Sequence, residues 1–193
     1  MPETVSEVSG GAYLATFDFA RNLLAACDTF RIDVLDGATV AEAKEKIYYQ
    51  ETLAEADDEE PVNEGDPSPE LEPRPYALVI DGQRNRRRAG VGEWAGEGQL
   101  VFVFEVLVPN EYIVDFDADD SAIRRQKFRG RKRWAMGLVG RLEDELSQHS
   151  GSADEEGNEF LNVTDIELLA PPADPDEAVG QEYVGFAFQV AWK

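Results

Sequence analysis

Residues 99–108, with the sequence QLVFVFEVLV, form an almost unbroken run of aliphatic and aromatic residues. The run is too short to cross a membrane, and it lies between glycine-rich sequence and Pro109. Such a segment is typical of a strand buried in the middle of a sheet. Only Glu105 interrupts the apolar run, so we expect one face of the strand to be less covered towards that end.

Other segments are also predicted to form strands. Residues 76–81 (YALVID) predict a second buried strand, which is expected to end in an Asp-Gly turn. Residues 160–169 predict a third strand. Residues 182–192 alternate large apolar with small or polar side chains, which is typical of an antiparallel strand covered on one face. A shorter alternation at residues 30–34 suits an edge strand.

Two helices are predicted before the first of these buried strands. Residues 11–30 carry apolar side chains at spacings of four, three, four and three, which indicates an amphipathic helix. These side chains are Tyr13, Phe17, Ala20, Leu24 and Cys27. Thr39 and Glu42 match a capping box, so a second helix is expected to run to about residue 49. The side chains expected to face inward are Val40, Ala43 and Ile47.

A long helix is predicted to end near residue 148 and to be capped at its start by Asp119, Asp120 or Ser121. Its continuous apolar arc consists of Trp134, Ala135, Leu138, Leu142 and Leu146. When this face is continued towards the N-terminus of the helix, it also contains Lys127 and Arg131. The basic run 124–133 is therefore expected either to project beyond the sheet or to form a separate turn broken at Gly130.

The order of these elements predicts an α+β fold with a mostly antiparallel sheet of four or five strands and helices on one face. The length fits a single domain over residues 1–193. Residues 51–74 are rich in acidic residues and prolines, so we expect them to form a mobile acidic loop. An arm that mimics nucleic acid is the alternative for this segment.

The charge distribution is strongly asymmetric. The chain has 40 acidic and 18 basic residues, a net charge of −22, which argues against specific nucleic-acid binding. Acidity of this kind also suits solubility or a salt-rich habitat. Two clusters hold most of the basic residues and are candidates for a subunit or partner interface. They comprise Arg84, Arg86, Arg87 and Arg88, placed in a loop, and Arg124, Arg125, Lys127, Arg129, Arg131, Lys132 and Arg133.

The basic clusters have three interpretations. They neutralise nearby carboxylates, they meet an acidic face of a neighbouring copy, or they contact nucleic-acid phosphates. The surrounding negative field disfavours the third.

Catalytic patterns are not visible in the sequence. His149 and Cys27 are the only histidine and cysteine, and they are expected at a helix end and on a buried helix face, so we predict no enzyme and no cofactor. Asp115, Asp117, Asp119 and Asp120 are weak metal candidates, because the glycine and glutamate of a calcium-binding loop are missing. Residues 90–95 match a dinucleotide fingerprint in letters, but a strand is expected to follow instead of a helix.

The segments PYALVID, GQLVFVFEV, RKRWAMGLVGRLEDEL and FLNVTDIEL, and the ending EYVGFAFQVAW, occur in an order that resembles the tail-terminator or tail-completion (minor tail) proteins of long-tailed bacteriophages. The resemblance covers residues 11–193. It implies an N-terminal helix, a long helix between two strand pairs and a last strand ending in an aromatic residue. It carries over no catalytic residues. The acidic segment and the aspartate-rich segment make this chain longer than compact members of the family.

The resemblance implies a homo-oligomeric ring, commonly of six subunits, that caps the tail tube and joins it to the head connector. The partners would be other copies, tail-tube protein and head-connector protein, and an acidic lumen would let DNA pass. No signal peptide or membrane span is recognised, so we expect assembly in the host cytoplasm, then a place in the virion tail of a phage or prophage. The alternative is an acidic protein-binding module, a nucleic-acid mimic or adaptor, that docks through residues 51–74.

Overall fold

The computed structural model describes residues 6–49, 75–88, 94–153, 155, 157, 159–172 and 182–193, without the side chains of 6–14, 83–88, 94 and 95. The predicted acidic loop at 51–74 and the glycine-rich residues 89–93 lie outside these ranges. The elements in chain order are α1 (Ser6–Ala26), a π-helix (Thr29–Val34), α2 (Val40–Glu45), β1 (Ile47–Tyr49), β2 (Tyr76–Arg88), β3 (Trp94–Leu107), a 3-10 turn (Asn110–Tyr112), α3 (Ser121–His149), β4 (Val163–Ala170) and β5 (Tyr183–Trp192).

The five strands form one mixed sheet in the order β1-β2-β3-β5-β4. Pairs β2–β3, β3–β5 and β5–β4 are antiparallel, whereas β1 runs parallel to β2. The predicted α+β class is therefore confirmed, and two hairpin pairs flank α3 as expected. The parallel pair is a correction, because its edge strand β1 lies in residues that the sequence pattern assigned to a helix.

β3 is the central strand, as its composition predicted. Leu100, Phe102, Phe104 and Val106 are buried on one face. The ring of Phe104 stacks on Phe186 of β5 with centroids 4.9 Å apart. Because β3 pairs with both β2 and β5, its backbone is satisfied on both sides, which is what a nearly continuous apolar strand requires.

The helices cover the face of the sheet that carries these aromatic residues. The predicted apolar stripes of α1, α3 and β5 are largely buried and belong to one core cluster: Phe17, Ala20, Leu24, Cys27, Ala135, Leu138, Leu142, Leu146, Val184, Phe186, Phe188 and Val190. The side chain of Tyr13 lies outside the described part of the chain. The amphipathic periods therefore predicted this packing correctly.

Residues 30–34 form part of a π-helix and not the predicted edge strand. The N–H of Leu35 donates to the carbonyl of Phe30 at 3.0 Å, a bond between residues five apart. Phe30 and Val34 are buried, while Ile32 is 56% exposed. A spacing of four suits a helical turn as well as an alternating strand, so only the outward position of Ile32 separates the two readings.

α2 begins with the predicted capping box but ends sooner than expected. The Thr39 side chain accepts the N–H of Glu42, and the Glu42 carboxylate accepts the N–H of Thr39. The helix stops at Glu45, and residues 47–49 become β1. Val40, predicted to face inward, is 40% exposed, whereas Ala43 and Ile47 are buried.

The β2–β3 hairpin is longer than predicted. Asp81 and Gly82 do not end β2, which continues to Arg88 after a register shift between Asp81 and Arg84. A Cβ at Gly82 would lie 2.7 Å from the carbonyl oxygen of Gln99, so the missing side chain lets the two backbones approach at this irregularity. The Asp81-Gly82 pair, which is typical of a turn, therefore lies at a β-bulge and not at a point where the chain reverses direction.

α3 is one continuous helix. It passes through Gly130 without the predicted break, and it starts at the predicted place, where Asp120 accepts the N–H groups of Ala122 and Ile123. β4 starts at Val163, three residues later than predicted. None of the helices described is both long and apolar enough to cross a lipid bilayer.

Candidate interaction surfaces

The exposed side of the first half of α3 carries a row of arginines. Arg125, Arg129 and Arg133 are four residues apart, so they lie on one face of the helix, and all three are exposed. We call these three residues the arginine stripe. The sequence identified them as basic, but the helical spacing that aligns them depends on α3 being continuous at Gly130.

A groove runs beside the arginine stripe. Its volume is about 630 Å³. Besides the stripe, its lining residues are Tyr112, Ala122, Gln126 and Gly130. A Cβ at Gly130 would lie 2.6 Å from Cε1 of Tyr112, so the glycine creates the space in which the tyrosine ring packs against α3. No sequence pattern pointed to Tyr112 or Gly130 as parts of this surface.

Within the described residues, no carboxylate pairs with the arginine stripe. Arg125 donates from Nε to the carbonyl of Ser121 at 3.0 Å, a contact within its own helix. Two other basic residues of α3 form ion pairs: Lys127 binds Asp119, and Arg141 binds Asp33. The stripe therefore presents three guanidinium groups to the groove and to solvent.

The hydroxyl of Tyr112 stays protonated at neutral pH. The pKa of its hydroxyl is raised, chiefly by a hydrogen bond to the carboxylate of Glu111, although the charge of Arg133 opposes the rise. Since its one proton is directed to Glu111, this hydroxyl offers no free donor to the groove, and the three guanidinium groups supply the donors. The lining as a whole is complementary to an anionic ligand.

Other basic residues of the same segment have structural contacts. Lys127 donates to Asp119 at 2.6 Å, which holds the pKa of that carboxyl below its usual range. The guanidinium of Arg124 lies 5.8 Å from the ring centroid of Phe116. Local neutralisation, the first of the three interpretations, therefore applies to Lys127 but not to the stripe. Lys132 is exposed.

Arg131 does not belong to the surface. Only 5% of its area is exposed, and its Nη2 donates to the carbonyl oxygen of Tyr183 at 2.7 Å. The prediction of Arg131 as an interface residue is therefore corrected: it lies in the buried arc of α3 and contacts the first residue of β5. Its long apolar stem explains how an arginine fits at such a position.

The second predicted cluster, Arg84, Arg86, Arg87 and Arg88, lies on β2 and not in a loop. Its backbone pairs with residues 94–98 of β3, whereas Tyr112 follows the opposite end of that strand. Nine residues of strand, or about 30 Å, separate residue 98 from residue 107. The structure therefore does not bring the two basic clusters together along the sheet.

The aspartates considered as metal ligands serve the loop that leads into α3. Asp115 accepts the N–H groups of Asp117 and Ala118, Asp119 accepts that of Asp115, and Asp120 caps the helix. In the described residues, no three His, Cys, Asp or Glu side chains are grouped so that they could hold a metal ion. These contacts stabilise the start of the helix that carries the arginine stripe.

The second candidate surface is the face of the sheet opposite the core. Leu78 and Ile80 of β2 pair with Val103 and Val101 of β3, and all four side chains are partly exposed. We call these four residues the open sheet face. The buried residues of α1, α2 and α3 belong to the cluster on the opposite face. An aliphatic patch remains that a protein neighbour could cover.

No protein-family model matches the chain, and no curated protein has a significantly similar sequence.

Proposed function

We propose that this protein is a structural phage or prophage virion protein, similar to a tail terminator, whose copies form a ring that caps the tail tube and joins it to the head connector. The observation that carries the proposal is the open sheet face. A sheet with helices packed on one side leaves Leu78, Ile80, Val101 and Val103 partly in water. Covering apolar area stabilises an assembly by about 25 cal/mol per Å².

A ring also requires two different patches on each subunit, because head-to-tail contacts join unlike surfaces. The open sheet face supplies one such patch. A net charge of −22 supports the further expectation that DNA passes such a ring without adhering to it. We assign no catalytic, metal or cofactor site to the protein.

The test is assembly of the purified chain, alone and with the tail-tube protein encoded nearby in the same genome. Native mass spectrometry and light scattering should detect a closed oligomer or a complex with the tube. Val103→Lys should weaken assembly because it places a charge on the open sheet face. Val103→Thr is the matched control, since threonine also suits a strand. Both variants need an unchanged circular dichroism spectrum.

A monomer that fails to bind the tail-tube protein under every condition would reject the proposed function. Replacing residues 51–74 by a Gly-Ser linker distinguishes the alternative. Loss of binding to a partner with the fold and self-assembly intact would favour an acidic binding module over a tail terminator.

A further inference from the structure

The arginine stripe is the strongest feature of the chain that the proposed function leaves unassigned. Three exposed guanidinium groups stand on one helix face, and none is paired with a carboxylate among the described residues. The three positive charges are neighbours on one helix face, so they repel one another. An anionic partner would remove that repulsion.

The spacing of the stripe selects the shape of the partner. A helix rises 1.5 Å per residue, so arginines four residues apart are separated by about 6 Å along α3. An extended peptide places alternate side chains about 6.6 Å apart on the same side. Carboxylates at every second residue of an extended segment therefore match successive arginines, and each can accept a bidentate hydrogen-bond pair.

The chain itself contains such a segment. Glu55, Asp57 and Glu59 occupy alternate positions in the sequence EADDEE, and no basic residue interrupts that sequence. The stretch that contains it is connected to the fold at Tyr49, the last residue of the edge strand β1, and at Pro75. α3 contacts the start of β5 through Arg131, three strands away from β1 in the sheet order.

We propose that the arginine stripe of one copy binds the carboxylate-rich residues 55–60 of a neighbouring copy. The inference rests on the proposed function in that it supplies the contact between adjacent ring subunits. It joins two unlike patches, one basic and one acidic, as a head-to-tail ring requires. The strongly negative chain disfavours nucleic acid as the occupant of the same groove.

The experiment uses two complementary full-length variants. The first carries Arg125→Glu, Arg129→Glu and Arg133→Glu, and the second carries Glu55→Lys, Asp57→Lys and Glu59→Lys. Each variant alone should self-associate at least about tenfold more weakly than the wild type, and mixing the two should restore association as hetero-oligomers in native mass spectrometry. Added salt should weaken the wild-type contact.

A control on the second half of α3 separates this contact from a general effect of added positive charge, since it changes the net charge by +4 and the lysine variant of residues 55, 57 and 59 changes it by +6. Glu143 and Asp144 are exposed on the second half of α3, away from the groove lining. The double variant Glu143→Lys, Asp144→Lys should leave association unchanged. Glu111 is unsuitable for this control because it contacts Tyr112. If both charge-reversal variants associate like the wild type, the inference is overturned while the proposed function stands.

A peptide measurement covers the case in which the isolated chain stays monomeric. The receptor is the chain with residues 51–74 replaced by a Gly-Ser linker, and the probe is a fluorescent peptide of residues 51–74. Binding that is lost when the receptor also carries the three Arg→Glu changes supports the groove, even if no ring forms and the proposed function fails. Absence of peptide binding overturns the inference.

Two results would assign the groove to a different occupant. Tighter binding of single-stranded DNA than of the peptide, with the same dependence on the three arginines, would identify a nucleic-acid site. If the peptide binds the linker receptor but is excluded from a wild-type chain that remains monomeric, the occupant is the segment of the same copy. Either result overturns the proposed contact between neighbouring copies.

Discussion

Gly130 and Tyr112 are in such close contact that a methyl group on the glycine would lie 2.6 Å from Cε1 and 2.8 Å from Cδ1 of the ring. Glycine within a helix ordinarily destabilises it by about 1 kcal/mol relative to alanine. Here the absent side chain makes room for the aromatic wall of the groove. The tyrosine lies in the 3-10 turn and the glycine in α3, so this contact sets how closely the two elements approach.

Gly130→Ala is expected to destabilise the protein, because the steric conflict with Tyr112 exceeds the gain in helix propensity. Gly140→Ala in the same helix is the matched control. A Cβ at Gly140 meets nothing within 4 Å, so this change should stabilise the protein by about 0.5–1 kcal/mol. Chemical denaturation of both variants measures the difference. In a Tyr112→Ala background, Gly130→Ala should become stabilising; equal stabilisation by both glycine changes in the wild type would refute the steric argument.

Arg131 and Arg129 should differ sharply in their effect on stability, although both are basic residues of α3. Arg131→Met removes the charged donor of the Tyr183 carbonyl, and we expect a loss of about 1–3 kcal/mol in the free energy of unfolding. Arg129→Met changes an exposed side chain and should alter the free energy by less than about 0.5 kcal/mol. Urea denaturation of the pair is the measurement. Similar values for the two variants would contradict the buried role of Arg131.

Glu145 links α3 to the start of the π-helix through hydrogen bonds to Thr29. Its carboxylate accepts the N–H of Thr29 at 2.9 Å and the Thr29 hydroxyl at 2.6 Å, and Thr29 is only 3% exposed. Glu145→Ala should destabilise the protein by about 1–3 kcal/mol because it leaves buried donors without this acceptor. Glu145→Gln retains an acceptor and should cost less.

Glu143→Ala provides the comparison for Glu145, since Glu143 is an exposed carboxylate on the same helix. We expect its effect to stay within about 0.5 kcal/mol in thermal or chemical unfolding. A loss for Glu143→Ala as large as that for Glu145→Ala would show that helix charge, and not the Thr29 contact, determines stability.

Cys27 should make the protein less stable at alkaline pH. Burial raises the pKa of its thiol well above the ordinary value, and the Glu145 carboxylate raises it further. In the unfolded chain the thiol ionises near a pKa of roughly 8.5, whereas the folded chain retains the proton. Stability should therefore be constant below that pH and fall above it by about 1.4 kcal/mol per pH unit from this group.

Unfolding measurements at pH 8, 9 and 10 on the wild type and Cys27→Ala test this slope. Tyr49, whose pKa burial raises to about 12, contributes to both proteins alike and cancels in the comparison. The wild type should lose more stability than the variant over this range. Rapid reaction of the native wild type with a thiol reagent would contradict the burial of the chain's single cysteine.

Most of the fold could be predicted from the sequence because its main elements carry long, regular apolar patterns. The stripes of α1 and α3 and the alternation of β5 extend over several turns or residue pairs, and they led to the correct faces. The predictions for two short segments were wrong. Residues 30–34 satisfy two periods at once, and residues 47–49 become a strand only because β2 offers a pairing edge, which no local pattern reveals.

The candidate surfaces were predictable only in part. The sequence located the basic residues, but it could not separate Arg131, which is buried against β5, from Arg129, which faces solvent. That distinction depends on the rotation of α3 relative to the sheet. The contribution of Tyr112 depends on a contact across 18 residues of chain with Gly130, for which no residue spacing provides a signal.

The parallel pairing of β1 with β2 has a practical consequence. Parallel neighbours need a crossover connection, because β1 ends at Tyr49 at the opposite end of the strand pair from Tyr76, where β2 begins. Closure entropy rises only with the logarithm of length, and doubling such a connection costs about 0.6 kcal/mol. An insertion after residue 60 of this connection, such as a fluorescent reporter or an affinity tag, should therefore leave the fold intact, which would allow the protein to be labelled without disturbing its core.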